Sequence, residues 1–293
     1  MNFFTIKDLE NLSGIKAHTI RMWEQRYDFL TPQRTESNIR YYDGRELKKL
    51  LNIALLNKFG FRISHITKMS EEEMHEKILS LTQPFACEER FVTELINAMM
   101  DMDMQRFEEV LDNYILAKGL NKAMQHVIFP FLEKIGLLWI TNRVSAAQEH
   151  LVTNIVRQKL IVAIENAYSR MEKEATFLLF LPEGEFHELG LLYVYYLLKS
   201  KGIRTLYLGA NVPLEAAAAI CKRKKVDYIY VHLTSVINNF HFGNFLKEVH
   251  EVFNPLPVII SGPMTHQLNG TELPNHIACK RSFSDAVSFL NEI

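Results

Sequence analysis

The 293-residue sequence predicts a multi-domain fold, all-α in its first part and α/β in its last. Three observations carry that expectation. Up to about residue 170 the apolar residues recur at intervals of three and four, the period of helices that bury one face. After Lys173 they gather into short runs at 175–181, 203–208, 226–233, 256–261 and 276–279, with helical stretches between them, clearest at 189–200, 214–224 and 241–252. Strands and helices alternating in this way form βαβ units, hence a Rossmann-like, doubly wound parallel sheet with helices on both faces. Finally, charge is uneven. Residues 1–70 hold 12 Lys and Arg against 7 Asp and Glu, a local +5, while the other 223 residues hold 21 against 27, or −6. A basic head on an acidic body fits a phosphate-binding head and a body with another task.

Composition narrows the class further. At 48% hydrophobic and 23% charged residues, the chain is globular rather than disordered. Cys87, Cys221 and Cys279 are odd in number and far apart, which argues against a disulfide framework or zinc ribbon and for a reducing compartment. Met1-Asn2-Phe3-Phe4 has no signal-peptide character, and no uncharged apolar stretch approaches the roughly 18 residues of a membrane span. The expectation is a cytoplasmic protein that does not enter a membrane.

Three domains are expected, at 1–76, 84–171 and 173–293. In the head, Ile6, Leu9 and Leu12 mark a helix that Ser13-Gly14 breaks, and a second helix begins near His18 and runs to the stop at Thr31-Pro32. Asn38-Ile39-Arg40-Tyr41-Tyr42 has the β-friendly character of a hairpin arm. Asp43 is the N-cap of a helix reaching Lys58, with Gly60 as terminator and a further helix near Ser64. The acidic run Glu71-Glu72-Glu73 and the break Thr82-Gln83-Pro84 mark a boundary. From Cys87 to Arg170 the stripes predict four helices with short breaks, an antiparallel four-helix bundle.

A helix-turn-helix lays its second helix in the major groove while neighbouring elements grip phosphates. Here that helix offers Lys16, His18, Thr19 and Arg21, and the following arm offers Arg34, Arg40 and Tyr41 as contacts to a double-stranded DNA operator. Trp23 and Tyr27 are assigned to the small core. The segments Phe4-Thr5-Ile6-Lys7-Asp8-Leu9, Thr19 to Tyr27, Pro32-Gln33-Arg34-Thr35 and Ile39-Arg40-Tyr41-Tyr42 resemble the winged helix-turn-helix of MerR-type transcription regulators. The Trp23-Glu24-Gln25-Arg26-Tyr27 form is similar to the cobalamin-dependent branch. That resemblance implies a dimeric reader of a near-palindromic operator, with Arg40 and Tyr41 on the wing.

The body carries the second signal. Glu185-Phe186-His187-Glu188-Leu189-Gly190 follows the first predicted strand, and ligands of parallel sheets bind at the carboxyl ends of strands. Most loop histidines are merely hydrogen-bonded surface residues. Here Glu185 can take the proton of one imidazole nitrogen, leaving the other for a metal, and Gly190 allows close approach. The segment resembles the Asp/Glu-x-His-x-x-Gly motif of cobalamin-binding domains. The likeness implies that His187 ligates cobalt from below, displacing the cofactor's own base. It also implies that the nucleotide tail lies in a slot lined by later loops, with Gly209 near Pro213, and with Thr234 or Ser235, Ser261 and Gly262. Two departures stand out: His232-Leu233-Thr234-Ser235-Val236 replaces the usual Ser-x-Leu, and Ser261-Gly262 the usual Gly-Gly.

Trp139, followed after nine residues by Glu149-His150, resembles a signature of light-sensing regulators that carry adenosylcobalamin. Read alone, the same residues are core and a solvated helical face. The resemblance implies that Trp139 packs on the adenosyl group, Glu149 bonds its ribose and His150 assists, roles that suit an aromatic face and a carboxylate. Ile140 stands where some light sensors have a histidine after the tryptophan. The other histidines lack metal-ligand spacing, Lys222-Arg223-Lys224-Lys225 reads as a solvated helix end, and there is no catalytic arrangement. The expectation is a non-enzymatic, cobalamin-binding repressor, a dimer or tetramer responding to adenosylcobalamin and light, with methylcobalamin as the other candidate ligand. Two alternatives stay open: a corrinoid carrier for methyl transfer, and a MerR-type regulator that has lost its cofactor and acts through a protein partner.

Overall fold

The first helix begins where the sequence supplies its cap. Thr5 accepts the Asp8 N–H while the Asp8 carboxylate accepts the Thr5 N–H, and this reciprocal box opens α1, Ile6–Ser13. The computed structural model describes residues 3–169, 173–235, 240–268 and 273–292, so Val236, Arg170 and the expected boundary at residue 171 lie outside the described residues. Gly14, at φ +73°, ends α1. The next helix, α2 (Ala17–Tyr27), turns Ile20 and Trp23 inward. It stops four residues before Thr31-Pro32, because Asp28 takes a left-handed cap at φ 50° and its N–H closes on Glu24. Phe29 and Leu30 then enter the core instead of extending the helix.

The hairpin forms from β1 (Gln33–Arg34) and β2 (Arg40–Tyr41), antiparallel with Arg34 opposite Arg40. Phe4 pairs with Tyr42 and ties the start of the chain to it. Asp43 caps α3 (Gly44–Lys58) through the N–H groups of Arg45 and Glu46. A short α4 (Ile63–Ile66) follows. The acidic run expected at a boundary instead opens α5 (Glu71–Leu79), with Ser70 and Glu73 forming a second capping box. Three carboxylates at the positive end of a helix dipole are favourable there, so the run belongs to a helix start.

Four helical stretches follow: α6 (Pro84–Asp101), α7 (Met104–Lys118), a third composed of α8 (Leu120–Ala123), one π turn (Met124–Ile128) and α9 (Phe129–Ile140), and α10 (Ala146–Asn166). Pro130 has no N–H to give the carbonyl four residues back, and the wide π turn lies immediately before it. By packing, the chain divides into two compact units, Met1–Ile155 and Val156–Ile293.

In the second unit the strands are β3 (Lys173–Pro182), β4 (Ile203–Val212), β5 (Tyr228–His232), β6 (Val258–Ser261) and β7 (Ile277–Lys280). They form one parallel five-stranded sheet in the order β4-β3-β5-β6-β7. The helices are α11 (Leu189–Ser200), α12 (Leu214–Arg223), α13 (Phe242–Phe253) and α14 (Phe283–Glu292). Right-handed crossovers put α11 on one face and α12 and α13 on the other; α14 packs with α11, and α12 with α13. Phe177 to Leu181 in β3 are fully buried, as a central strand covered on both faces requires. The order in which strands are added reverses between β3 and β5, so their carboxyl ends form the crevice where such sheets bind ligands.

Gly262 shows how tightly that end is built. It sits at φ +102°, and an added Cβ would come 2.3 Å from the Leu233 carbonyl oxygen, a backbone atom that cannot swing away. Gly262→Ala is expected to cost about 2–5 kcal/mol, combining an unfavourable φ with overpacking. Urea denaturation reads this directly, and a loss under about 1 kcal/mol would show that the β5 and β6 loops are looser than described.

Candidate functional site

The site is organised by one carboxylate at the carboxyl end of β3. Glu185 is 0% exposed. Its Oε1 accepts the N–H groups of Phe186 and His187, each at 2.9 Å, and the His187 Nδ1 proton at 2.6 Å. Its Oε2 accepts the N–H groups of Thr234 at 2.7 Å and Ser235 at 2.8 Å, from the loop after β5. The carboxylate therefore bridges the crevice between the two strands. Burial alone would raise its pKa, but the His187 ring and the His187 and Ser235 N–H groups outweigh this and hold it down to about 2. A carboxylate that stays ionised fixes the proton of His187 on Nδ1, which selects the tautomer whose Nε2 is an acceptor. That is how proteins prepare an imidazole for a metal. The His187 side chain is 49% exposed, at the rim of the crevice.

The chemistry of this donor set would fit a cobalt ion whose other ligands come with its cofactor, because a single imidazole gives one nitrogen. The surroundings of the other expected residues are more self-contained. Gly190 is needed for protein packing: a Cβ there would lie 2.3 Å from His232 Nε2. Ser261 is fully buried, accepts the Tyr230 hydroxyl at 2.7 Å, and lies 2.8 Å from His232 Nδ1. Thr234 and Ser235 engage Glu185 through their backbone, and Gly262 nests on Leu233. Gly209, at φ +82°, faces Glu188, whose carboxylate accepts the Tyr207 hydroxyl at 3.0 Å and pairs with Arg157 at 2.7 Å. Tyr230, His232, Glu188 and Arg157 take part here although the residue pattern assigns them no role. Only His232 left a signal there, as a departure from the family pattern.

In the first unit, Trp139 and Ile140 end α9 with 52% and 73% of their surface exposed, unusual for large apolar residues in a bundle helix. With Asn142, Val144, Ser145 and Ala146 they line an open pocket of about 590 Å³ at the turn into α10. Glu149 and His150 lie in the next turn of α10, outside that lining, and pair with each other at 2.6 Å.

Lys16, His18 and Arg21 are exposed and Thr19 is half-buried, with Ile20 and Trp23 turned inward. Glu24 joins α2 to the hairpin through Arg40 Nε at 3.4 Å and the Tyr42 hydroxyl at 3.1 Å. Arg34 donates to the Asn38 side chain at 2.7 Å and so braces the hairpin turn, while Tyr41 is half-buried against Phe3. Among the described residues, no helix is long and apolar enough to cross a membrane.

Comparison with known proteins bears on the head and on the helical stretch that follows it. Residues 4–73 match the family model described as MerR HTH family regulatory protein, and residues 92–163 match the model described as B12 binding domain. The chain is 28% identical over 283 residues to the HTH-type transcriptional repressor CarH of Myxococcus xanthus, covering 94% of each chain. It is also 28% identical over 260 residues to the HTH-type transcriptional repressor CarA of the same organism, covering 88% of this chain and 85% of that one. In structure it resembles the monomethylamine corrinoid protein of Methanosarcina barkeri, with a TM-score of 0.52, 13% identity, and coverage of 68% of this chain and 96% of that one. At that identity the likeness concerns the fold alone.

His232 gives the site a pH signature. Burial pushes its pKa from 6.5 down to about 4, partly opposed by the Glu185 carboxylate and reinforced by His187. The unfolded chain takes up this proton first as pH falls, so the contribution is intact above about 6.5 and declines toward 4, by about 3 kcal/mol in all. Denaturation of wild type and His232→Asn between pH 7 and 4.5 tests it. The variant is expected to lose most of this extra slope; equal slopes would contradict a neutral, buried His232.

Proposed function

We propose that this chain, a cobalamin-binding transcriptional regulator with a MerR-type reader and a B12-binding module, is a cytoplasmic repressor. Its operator binding and self-assembly respond to adenosylcobalamin and to light. The observation that carries this reading is the buried Glu185 carboxylate holding the His187 Nδ1 proton. In a chain whose head reads DNA, a prepared axial ligand makes the body a sensor.

The roles follow from the side chains. His187 would provide a nitrogen for cobalt, and Glu185 would keep it oriented. Trp139 offers an exposed indole face to the adenosyl group, and Glu149, steadied by His150, accepts ribose hydroxyls. Loops bearing Gly190, Gly209, Thr234, Ser235, Ser261 and Gly262 border the remainder of the cofactor. Bound adenosylcobalamin supplies a cobalt–carbon bond that light can break. Ile140, where some light sensors have a histidine, would bring no nitrogen of its own to the bound group. Binding and release, rather than turnover, are the function.

On DNA, Lys16, His18, Thr19 and Arg21 read the groove, and Arg34, Arg40 and Tyr41 act on the wing. A dimer or tetramer holding several heads on one operator raises their effective concentration without new base contacts. A cofactor that binds one assembly better than another shifts the population toward it, by no more than that difference in affinity. A second reading rests on the close packing of His232 against Gly190 and the engagement of Ser261 by Tyr230, which leave the later loops self-contained. It is a regulator that acts through a protein partner without a cofactor.

The two readings part on His187. Absorption spectra taken in darkness are expected to show adenosylcobalamin bound by wild type and bound more weakly, with an altered cobalt spectrum, by His187→Ala. Glu185→Gln is expected to weaken binding about 10–100-fold, the usual effect of removing a partner of a metal-bound histidine. If His187→Ala leaves spectrum and affinity unchanged, the cofactor reading fails. For the switch, mass and operator binding are compared before and after green light; no change in either would remove the light response.

A further inference from the structure

We propose that Arg143 is the positioning residue that transmits occupancy of the Trp139 pocket to the DNA-reading head, through the carboxylate that caps α1. The inference rests on the reading that the adenosyl group of the cofactor meets Trp139. Every residue it uses lies in the unit Met1–Ile155.

The geometry begins at the end of α9. Asn142 takes a left-handed φ of 53°, its N–H closes on the Trp139 carbonyl at 2.9 Å, and the Arg143 N–H closes on the Leu138 carbonyl at 2.8 Å. This Schellman-type ending makes the backbone of Trp139 and Arg143 one rigid turn. The flanking residues Asn142 and Val144 line the pocket together with Trp139 and Ile140. Arg143 itself turns away from it and reaches Asp8, with Nε 2.9 Å from Oδ2.

Asp8 is 4% exposed, and the same oxygen also accepts the Thr5 N–H at 2.7 Å and the Thr5 hydroxyl at 2.8 Å. One oxygen therefore both starts α1 and receives the turn that follows Trp139. The other end of α1 is held as well, since Lys134 of α9 donates to the Leu12 carbonyl at 2.6 Å. Thus α9 and its terminal turn grip both ends of the first head helix. That helix packs on α2, which carries the groove-facing residues. A ligand that moves Trp139 moves the Schellman turn, and Arg143 must then follow it or release Asp8. A buried carboxylate that loses a charged donor is destabilised, so the head has two distinct states for the pocket to choose between.

Arg143→Gln removes the cation and leaves the pocket lining untouched, whereas Arg143→Lys retains a donor of the same charge. The full-length chain is tested in darkness on a DNA duplex selected from a random pool, with and without adenosylcobalamin, while absorption follows cofactor uptake. In wild type the ratio of operator affinities is expected to differ from one by about fivefold or more, and in Arg143→Gln to fall within about twofold of one. Uptake should be unchanged, and Arg143→Lys should recover part of the ratio. Arg143→Gln that keeps the wild-type ratio overturns the relay. Wild type that takes up no cofactor overturns the underlying reading as well. Hydrogen exchange on wild type stands should the variant not fold: protection across Ile6–Ser13 must change on adding adenosylcobalamin, and identical exchange overturns the proposal.

Discussion

A single carboxylate placed wholly out of water sets the terms for the second half of this chain. Glu185 is tolerable in the interior because three donors from its own loop and two from the loop after β5 satisfy it. Those bonds do two things at once. They fasten the carboxyl ends of β3 and β5 across the point where the strand order reverses, and they fix the tautomer of His187. The stability of the crevice and the tautomer of His187 are thus one feature. A histidine held only by packing would lack the second property.

The head shows the same economy at smaller scale. Glu24 pairs with Arg40 and accepts the Tyr42 hydroxyl, so α2 and the hairpin are oriented by one side chain. Asp8 starts α1 and also receives Arg143 from the far end of the bundle. Small helical heads have little core of their own, and buried carboxylates with several donors supply part of the missing definition.

Much of this was legible from residue pattern. The limits of α11 and α12 followed from the change of period after Lys173, Asp43 announced the start of α3, and Glu185-x-His187 stood out as a motif after a buried strand. What stayed hidden depended on contacts distant in sequence. Glu71-Glu72-Glu73 reads as a domain boundary until Ser70 is seen to cap a helix there, and Asp28 ends α2 by a left-handed backbone conformation. The glycine at 190 was read as room for a ligand, whereas the space beside it belongs to His232, 42 residues away. Arg143 and Asp8, separated by 135 positions, carry no local signature of their pairing.

The central claim is that cobalt takes its lower nitrogen from His187 as held by Glu185, and electron paramagnetic resonance tests it most directly. The protein is produced with ¹⁵N-labelled histidine, loaded with unlabelled cofactor, and brought to the cobalt(II) state. If the protein supplies the axial nitrogen, the nitrogen splitting changes from the triplet of ¹⁴N to the doublet of ¹⁵N. A triplet that persists in the labelled protein places the cofactor's own base on the metal and contradicts the account.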